Sequence, residues 1–81
     1  MRISIIPADG YVGVGTTDKN KFGILDLDME GVDPEIHAIQ WHDSWGEIEW
    51  VGHQRPNTRI TDFSPYQFLV DRWQAAQDAP V

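Results

Sequence analysis

Several side chains capable of chemistry lie close together in the middle of the chain. His42, Asp43 and Ser44 are adjacent, but sequence neighbours on a turn cannot reach the geometry of a nucleophilic triad. Glu47 and Glu49 alternate along a predicted strand, which places them about 6–7 Å apart on one face. Paired carboxylates of this kind act as acid and base when burial raises the pKa of one of them. Because both fall on the predicted solvent-facing side, we expect no enzyme activity.

Two other residue sets have the side-chain types that bind metal ions. His37, His42 and His53 are spaced by five and eleven positions, whereas zinc favours closer pairs and thiolates, and the chain has no cysteine. The acidic segment from Asp26 to Glu35 matches a calcium-binding EF-hand loop at Gly31, its sixth position. The twelfth position holds His37 where that loop needs a bidentate glutamate. We therefore expect neither a metal nor a cofactor.

A β-hairpin is the element that must position the central side chains. The stretch from Ala38 to Val51, AIQWHDSWGEIEWV, holds three of the four tryptophans and alternates on both sides of a turn. This alternation puts Trp41 and Trp50 on a buried face and leaves the polar residues between them in solvent. In the turn, Asp43 is suited to bond nearby backbone and Gly46 to adopt a positive φ.

Trp45 stands at the tip of this hairpin among polar residues. One interpretation leaves it exposed, as the type of side chain most enriched at protein-binding hot spots. The other folds it back over the hairpin. The candidate protein-interaction site consists of Trp45, His42, Asp43 and Glu47, with His42 and Glu47 expected to face each other across the tip.

Further strands are predicted on both sides of the hairpin. Short runs predicted as strands cover Arg2 to Ile6, Tyr11 to Val14 and Phe22 to Leu27, and Thr58 to Thr61 is a weaker candidate. Pro7-Ala8-Asp9-Gly10 has the composition of a turn between the first two. Asp33 to His37 is predicted as one helical turn, because Asp33 suits the N-cap and Pro34 the first helical position.

The C-terminal part of the chain predicts one helix over residues 65–77. Ser64 is suited to cap it, Pro65 to begin it and Gln67 to complete a capping box. Phe63 and Phe68 have the spacing of a hydrophobic staple. An apolar stripe with helical spacing is formed by Tyr66, Leu69, Val70 and Trp73. The predicted fold is thus α+β: a single domain over residues 1–81, with a small antiparallel sheet of four to six strands and one C-terminal α-helix packed on one face.

The composition excludes some classes of partner. The chain has 81 residues, and 13 acidic against 6 basic residues give it a net charge of −7. Nucleic-acid binding needs clustered Lys and Arg, so we expect no nucleic-acid partner and no anionic membrane. The opening residues do not have the pattern of a signal peptide, and no apolar run reaches the ~20 residues of a membrane span.

Three segments carry a resemblance to a known group of proteins. They are the opening RISIIPADGYV, the central HAIQW followed by GEIEW, and a closing helix that contains WQAA. Together they resemble small proteins of tailed bacteriophages and prophages that are encoded near tail genes, and they cover about half of the chain. The shared motifs are structural, so no active-site residue follows from them.

The resemblance implies a non-enzymatic, phage-derived accessory protein. It would be a minor virion or tail component, or a tail assembly factor, located in the host bacterial cytoplasm or the virion. Its expected partner is a larger phage or host protein, and a free sheet edge would allow a homo-oligomer to form. The alternative is an acidic inhibitor of a host nucleic-acid-binding protein, which mimics DNA through its negative charge.

Overall fold

Six antiparallel strands and one helix make up the computed structural model, which describes residues 1–17 and 19–78. The strands are β1 (Arg2–Ile6), β2 (Tyr11–Gly15), β3 (Lys21–Ile24), β4 (Ile36–His42), β5 (Gly46–Trp50) and β6 (Thr58–Ile60). Their order across the sheet is β3-β2-β1-β4-β5-β6, and the helix α1 covers Gln67–Asp78. The predicted α+β fold is confirmed, at the upper end of the predicted number of strands.

The turn between β1 and β2 is confirmed, and it depends on a glycine. A 3₁₀ turn at Pro7–Asp9 ends at Gly10, whose φ of 60° lies in the left-handed region that side chains disfavour. Gly10 also accepts a hydrogen bond from the Leu27 amide at 2.9 Å, and a Cβ on Gly10 would lie 2.8 Å from that same nitrogen. Only glycine satisfies both the turn and this close approach.

The β4–β5 hairpin is also confirmed, although its glycine has a different role from the predicted one. Ile39 pairs with Ile48, and the positive φ of the turn falls on Asp43, at 69°. Gly46 lies within β5 opposite Trp41, where a Cβ would lie 2.9 Å from Cε3 of the Trp41 ring. The prediction for Gly46 was wrong because this position makes room for an indole instead of reversing the chain.

One face of the sheet forms the core together with α1. Leu69 of α1 is completely buried, and burial of such a side chain contributes about 1.5–3 kcal/mol. Trp41 is buried as predicted, with its ring centroid 5.3 Å from that of Phe63. Trp50, predicted to be buried, is only half-buried, and the Arg55 guanidinium carbon lies 3.6 Å from its ring centroid. The buried core consists of Ile3, Ile5, Val12, Val14, Ile36, Ile39, Trp41, Ile48, Phe63 and Leu69.

The helix begins differently from the sequence prediction. A 3₁₀ turn at Ser64–Tyr66 precedes α1 with Phe63 as its N-cap residue, and the Asp62 carboxylate accepts from the Ser64 amide at 3.0 Å and from the Ser64 hydroxyl at 2.9 Å. Gln67 donates to Asp71 instead of closing a capping box. The predicted apolar stripe does pack on the core. No helix among the described residues is long and apolar enough to cross a membrane.

Two connecting segments also differ from the prediction. Asp33 forms a turn, with its carboxylate accepting from the Glu35 amide at 2.9 Å, and β4 already begins at Ile36. A helical turn does not form because Ile36 pairs with Trp50 in the sheet. The third strand ends at Ile24 instead of Leu27, because the following backbone bonds to the Pro7–Asp9 turn.

Candidate functional site

The face of the sheet opposite α1 carries the candidate site, and we call it the open face. Strand pairing and alternation place there the residues that lie between the core positions. These residues include Arg2, Ser4, Tyr11, Gly13, Lys21, Gly23, Ala38, Gln40, His42, Glu47, Glu49 and Arg59. Three of the four predicted interaction residues are on this face or reach it, because Trp45 folds onto it from the hairpin tip.

Trp45 lies between two other open-face side chains. Its ring centroid is 4.5 Å from that of His42, and the Arg59 guanidinium carbon is 4.5 Å from the Trp45 ring. The indole is therefore half-buried and folded back over the hairpin, which decides between the two alternatives for its position. Part of the indole remains accessible to solvent. We call Trp45, His42 and Arg59 the tip cluster.

His42 is fixed by contacts on two sides. Its backbone amide donates to the Trp45 carbonyl at 2.7 Å, and its Nδ1 accepts from the Arg2 guanidinium. Since arginine can only donate, Nδ1 is the acceptor nitrogen and a neutral His42 carries its proton on Nε2. The ring orientation that supports Trp45 is thus set by β1, a strand distant in sequence.

Asp43 shapes the hairpin tip. Its backbone amide donates to the Met1 carbonyl at 2.9 Å, and its carboxylate pairs with the Met1 ammonium. The side chain is 62% exposed, so this pair contributes little to stability. Asp43 therefore acts mainly by holding the left-handed backbone of the turn and the first residue of the chain.

Glu47 does not face His42 across the tip, and that prediction was wrong. The register pairs Glu47 with Gln40 on β4 and with Arg59 on β6, while the hairpin places His42 opposite Trp45. The Glu47 carboxylate accepts from the Asn57 side-chain amide at 3.1 Å. The turn is shorter than expected, because it closes between His42 and Trp45, and this shifts every cross-strand partner.

A polar row that sequence reasoning missed crosses the centre of the open face. Lys21 Nζ donates to Ser4 Oγ at 2.7 Å, and Ser4 Oγ donates to Gln40 Oε1 at 2.7 Å. Ser4 is only 6% exposed, so this pairing removes the cost of burying its hydroxyl. The row joins three strands, and the only signal in the sequence is a polar residue at alternate positions of each.

Tyr11 covers the other half of the open face. Its ring lies over two glycines that pair across β2 and β3, Gly13 and Gly23. A Cβ on either glycine would collide with the Tyr11 ring or hydroxyl. The two glycines therefore provide a flat bed for an aromatic ring.

The site offers recognition chemistry. It combines an indole, a phenol, a guanidinium and a row of hydrogen-bonding groups on a surface that α1 does not cover. Tyr, Trp and Arg are enriched at the centres of protein interfaces. Among the described residues, no group of three or more His, Asp or Glu side chains is placed to hold a metal ion.

Comparison with known proteins gives no family for this arrangement. The chain matches no protein-family model, no curated protein and no solved structure.

Proposed function

We propose that this protein is a non-enzymatic accessory protein that acts through protein–protein contacts made by its open face. The observation that carries the proposal is the tip cluster, in which Trp45 is held between His42 and Arg59. An aromatic anchor that is already ordered loses little conformational entropy on binding. A partner that covers the cluster therefore buries the indole with little loss of conformational entropy.

The biological setting of the proposal comes from the resemblance of the sequence to small proteins of tailed phages. In that setting the protein is a minor virion or tail component, or a tail assembly factor, in the host bacterial cytoplasm or the virion. Its partner is a larger phage or host protein. The open face supports this role because a flat sheet surface with Tyr11 and Trp45 suits a broad protein contact better than a small substrate.

The test is affinity capture from the native source with wild-type protein and the Trp45→Ala variant, at low and at high salt. If Trp45 is a hot spot, the substitution should weaken capture of the partner by about 30-fold, the equivalent of ~2 kcal/mol. Phe22→Ala is the matched control, because it removes a ring that is 58% exposed and lies outside the open face. Equal capture by wild type and Trp45→Ala would overturn the proposal.

One observation favours a second function, the acidic inhibitor of a host nucleic-acid-binding protein. Within residues 26–35, every carboxylate side chain is exposed. These are Asp26, Asp28, Glu30, Asp33 and Glu35. A partner bound through them should be lost steeply between low and physiological salt, and its capture should be unaffected by Trp45→Ala. The salt and variant arms of the same experiment therefore distinguish the two functions.

A further inference from the structure

A groove lies at the end of the sheet opposite the hairpin tip. It consists of two adjoining cavities of about 340 Å³ and about 140 Å³, which share Pro34 and Val51. We call it the Pro34 groove. The tip cluster is about 20 Å away, because the length of β4 separates them. The larger cavity is lined mainly by apolar side chains, among them Pro7, Met29, Val32, Pro34, Ile36 and Val51.

The groove is built from backbone segments that are held together. The Val51 amide donates to the Glu35 carbonyl at 2.8 Å, which ties the end of β5 to the turn before β4. Ile36 is 4% exposed and belongs to the core, whereas Val51 is 47% exposed although it is a large hydrophobic residue. A fixed apolar floor beside an exposed apolar rim is the usual form of a site that receives a side chain.

The smaller cavity adds a charged wall. Arg55 lies on the Trp50 ring at 3.6 Å and donates to the Glu35 carboxylate at 2.6 Å. Trp50 in turn donates through Nε1 to the Thr58 hydroxyl at 3.0 Å. Glu35 remains 67% exposed despite its partner, so its carboxylate is accessible to a second cation.

The surroundings of the groove are acidic. Among the described residues, five exposed carboxylates line it or are adjacent in sequence to its lining: Asp9, Asp28, Glu30, Asp33 and Glu35. The nearby cations are already engaged, since Arg55 pairs with Glu35 and Arg72 donates to backbone carbonyls of the 28–30 loop. The pKa of the nearby Tyr66 phenol is raised, first by burial and then by the charge of Asp33.

We propose that the Pro34 groove binds an extended segment of a partner protein in which one aliphatic or aromatic side chain is flanked by lysine or arginine. The apolar side chain fills the larger cavity over Ile36 and Val51, and the flanking cation pairs with Asp33 or Glu35. A second copy of this chain is a poor occupant, because it brings its own net charge of −7 to an acidic rim. This site is separate from the open face and does not rest on the function proposed for it.

The experiment is a selection of short random peptides from a display library on wild-type protein, and the enriched peptides are then tested for binding to Val51→Asp. Enriched peptides should contain a large apolar residue next to Lys or Arg. Their affinity, measured by fluorescence anisotropy, should fall by about tenfold or more on Val51→Asp, because the substitution puts an unpaired carboxylate at the apolar rim. Since Val51 is exposed, the variant should fold, and a thermal melt checks this.

Two double variants that remove only charge distinguish an electrostatic effect at the groove from the effect of the net charge of the protein. Asp33→Asn with Glu35→Gln removes two charges at the groove, while Asp71→Asn with Asp78→Asn removes two exposed charges from α1. The first pair should weaken the selected peptides by about tenfold and the second by less than about twofold. An equal loss of peptide affinity in both double variants would overturn the proposal, because net charge alone would then explain the effect.

Other outcomes would contradict the proposal or identify a different occupant or a different binding site. Enrichment of acidic or uncharged apolar peptides, or of peptides that bind Val51→Asp as well as wild type, contradicts the proposal. Self-association of wild type in sedimentation that Val51→Asp abolishes would place a second copy in the groove. Loss of peptide binding on Trp45→Ala with no effect of Val51→Asp would move the site to the tip cluster.

Discussion

Among single residues, two glycines shape the open face because they carry no side chain. Gly13 and Gly23 face each other across two strands, and the Tyr11 ring occupies the space that two Cβ atoms would fill. Glycine in a strand costs backbone entropy, which an aromatic ring packed on it partly recovers. The three residues therefore act as one unit.

We predict that Gly13→Ala destabilises the protein by about 1–3 kcal/mol, because the new methyl group collides with the Tyr11 hydroxyl. In a Tyr11→Ala background the same substitution should cost less, because the colliding ring is gone. Urea denaturation of the four proteins measures the coupling, which should be about 0.5–3 kcal/mol for residues in contact. Additive effects would show that the ring does not depend on the glycine bed.

At the scale of elements, α1 does more than cover the core. Trp73 Nε1 donates to the Phe22 carbonyl at 3.0 Å, so the helix reaches the exposed edge strand β3. Arg72 bonds the carbonyls of Asp28 and Glu30 at 2.7 and 2.9 Å and fixes the acidic connection. An edge strand that is partly covered in this way is less available for pairing with another chain.

Trp73→Phe should destabilise the protein by about 0.5–1.5 kcal/mol, because it removes one hydrogen bond and keeps an aromatic ring in place. Amide hydrogen exchange in β3 should become faster. Trp50→Phe is the matched control, since it removes an indole hydrogen bond near the opposite edge, to Thr58. If both variants speed exchange in β3 equally, Trp73 does not protect that edge.

The start of the helix predicts a specific dependence of stability on pH. Hydrogen bonds from the Ser64 amide and then from its hydroxyl hold the pKa of Asp62 below the ordinary value of 3.8. A carboxylate with a lowered folded-state pKa contributes stability that is present above the unfolded value and is lost as the pH falls through the folded one.

Asp62→Asn should therefore be less stable than wild type at neutral pH, and the difference should shrink as the pH falls below about 3.8. Urea denaturation at a series of pH values measures it. Asp71→Asn is the control, because that carboxylate accepts from the Gln67 side chain instead of from Ser64. A difference that stays constant down to pH ~2 would contradict the role of Asp62, since its carboxylate would by then be protonated in the unfolded chain.

At the scale of the whole molecule, the charge balance dominates the electrostatics. The net charge is −7, and the ion pairs of Glu35 with Arg55 and of the Met1 ammonium with Asp43 are both exposed. Exposed pairs contribute about 0–1 kcal/mol each, whereas repulsion among the acidic residues acts over the whole surface. Screening should therefore relieve more repulsion than it removes attraction.

We expect the melting temperature at neutral pH to rise by a few degrees when NaCl increases from about 10 mM to about 150 mM, where the Debye length falls to about 8 Å. Differential scanning calorimetry measures the change. A fall in melting temperature over the same range would mean that specific ion pairs outweigh the general repulsion.

The sequence alone determined those parts of the molecule that depend on local periodicity. Alternation predicted the β4–β5 hairpin and the buried Trp41, and helical spacing predicted that Leu69 faces the core. The composition of the Pro7–Asp9 turn was also sufficient to predict it, because the turn ends at a left-handed residue, Gly10, and this requirement is local. These patterns are encoded within a few residues of one another.

Only the tertiary structure decided which distant residues meet. Ser4 lies beside Gln40 because β1 pairs with β4, and Trp45 lies between His42 and Arg59 because β6 adds to the far side of β5. Strand order is set by the total apolar area that the whole sheet buries, which no local pattern reports. The candidate residues could be named from the sequence, but the tip cluster and the Pro34 groove exist only once the strands are paired.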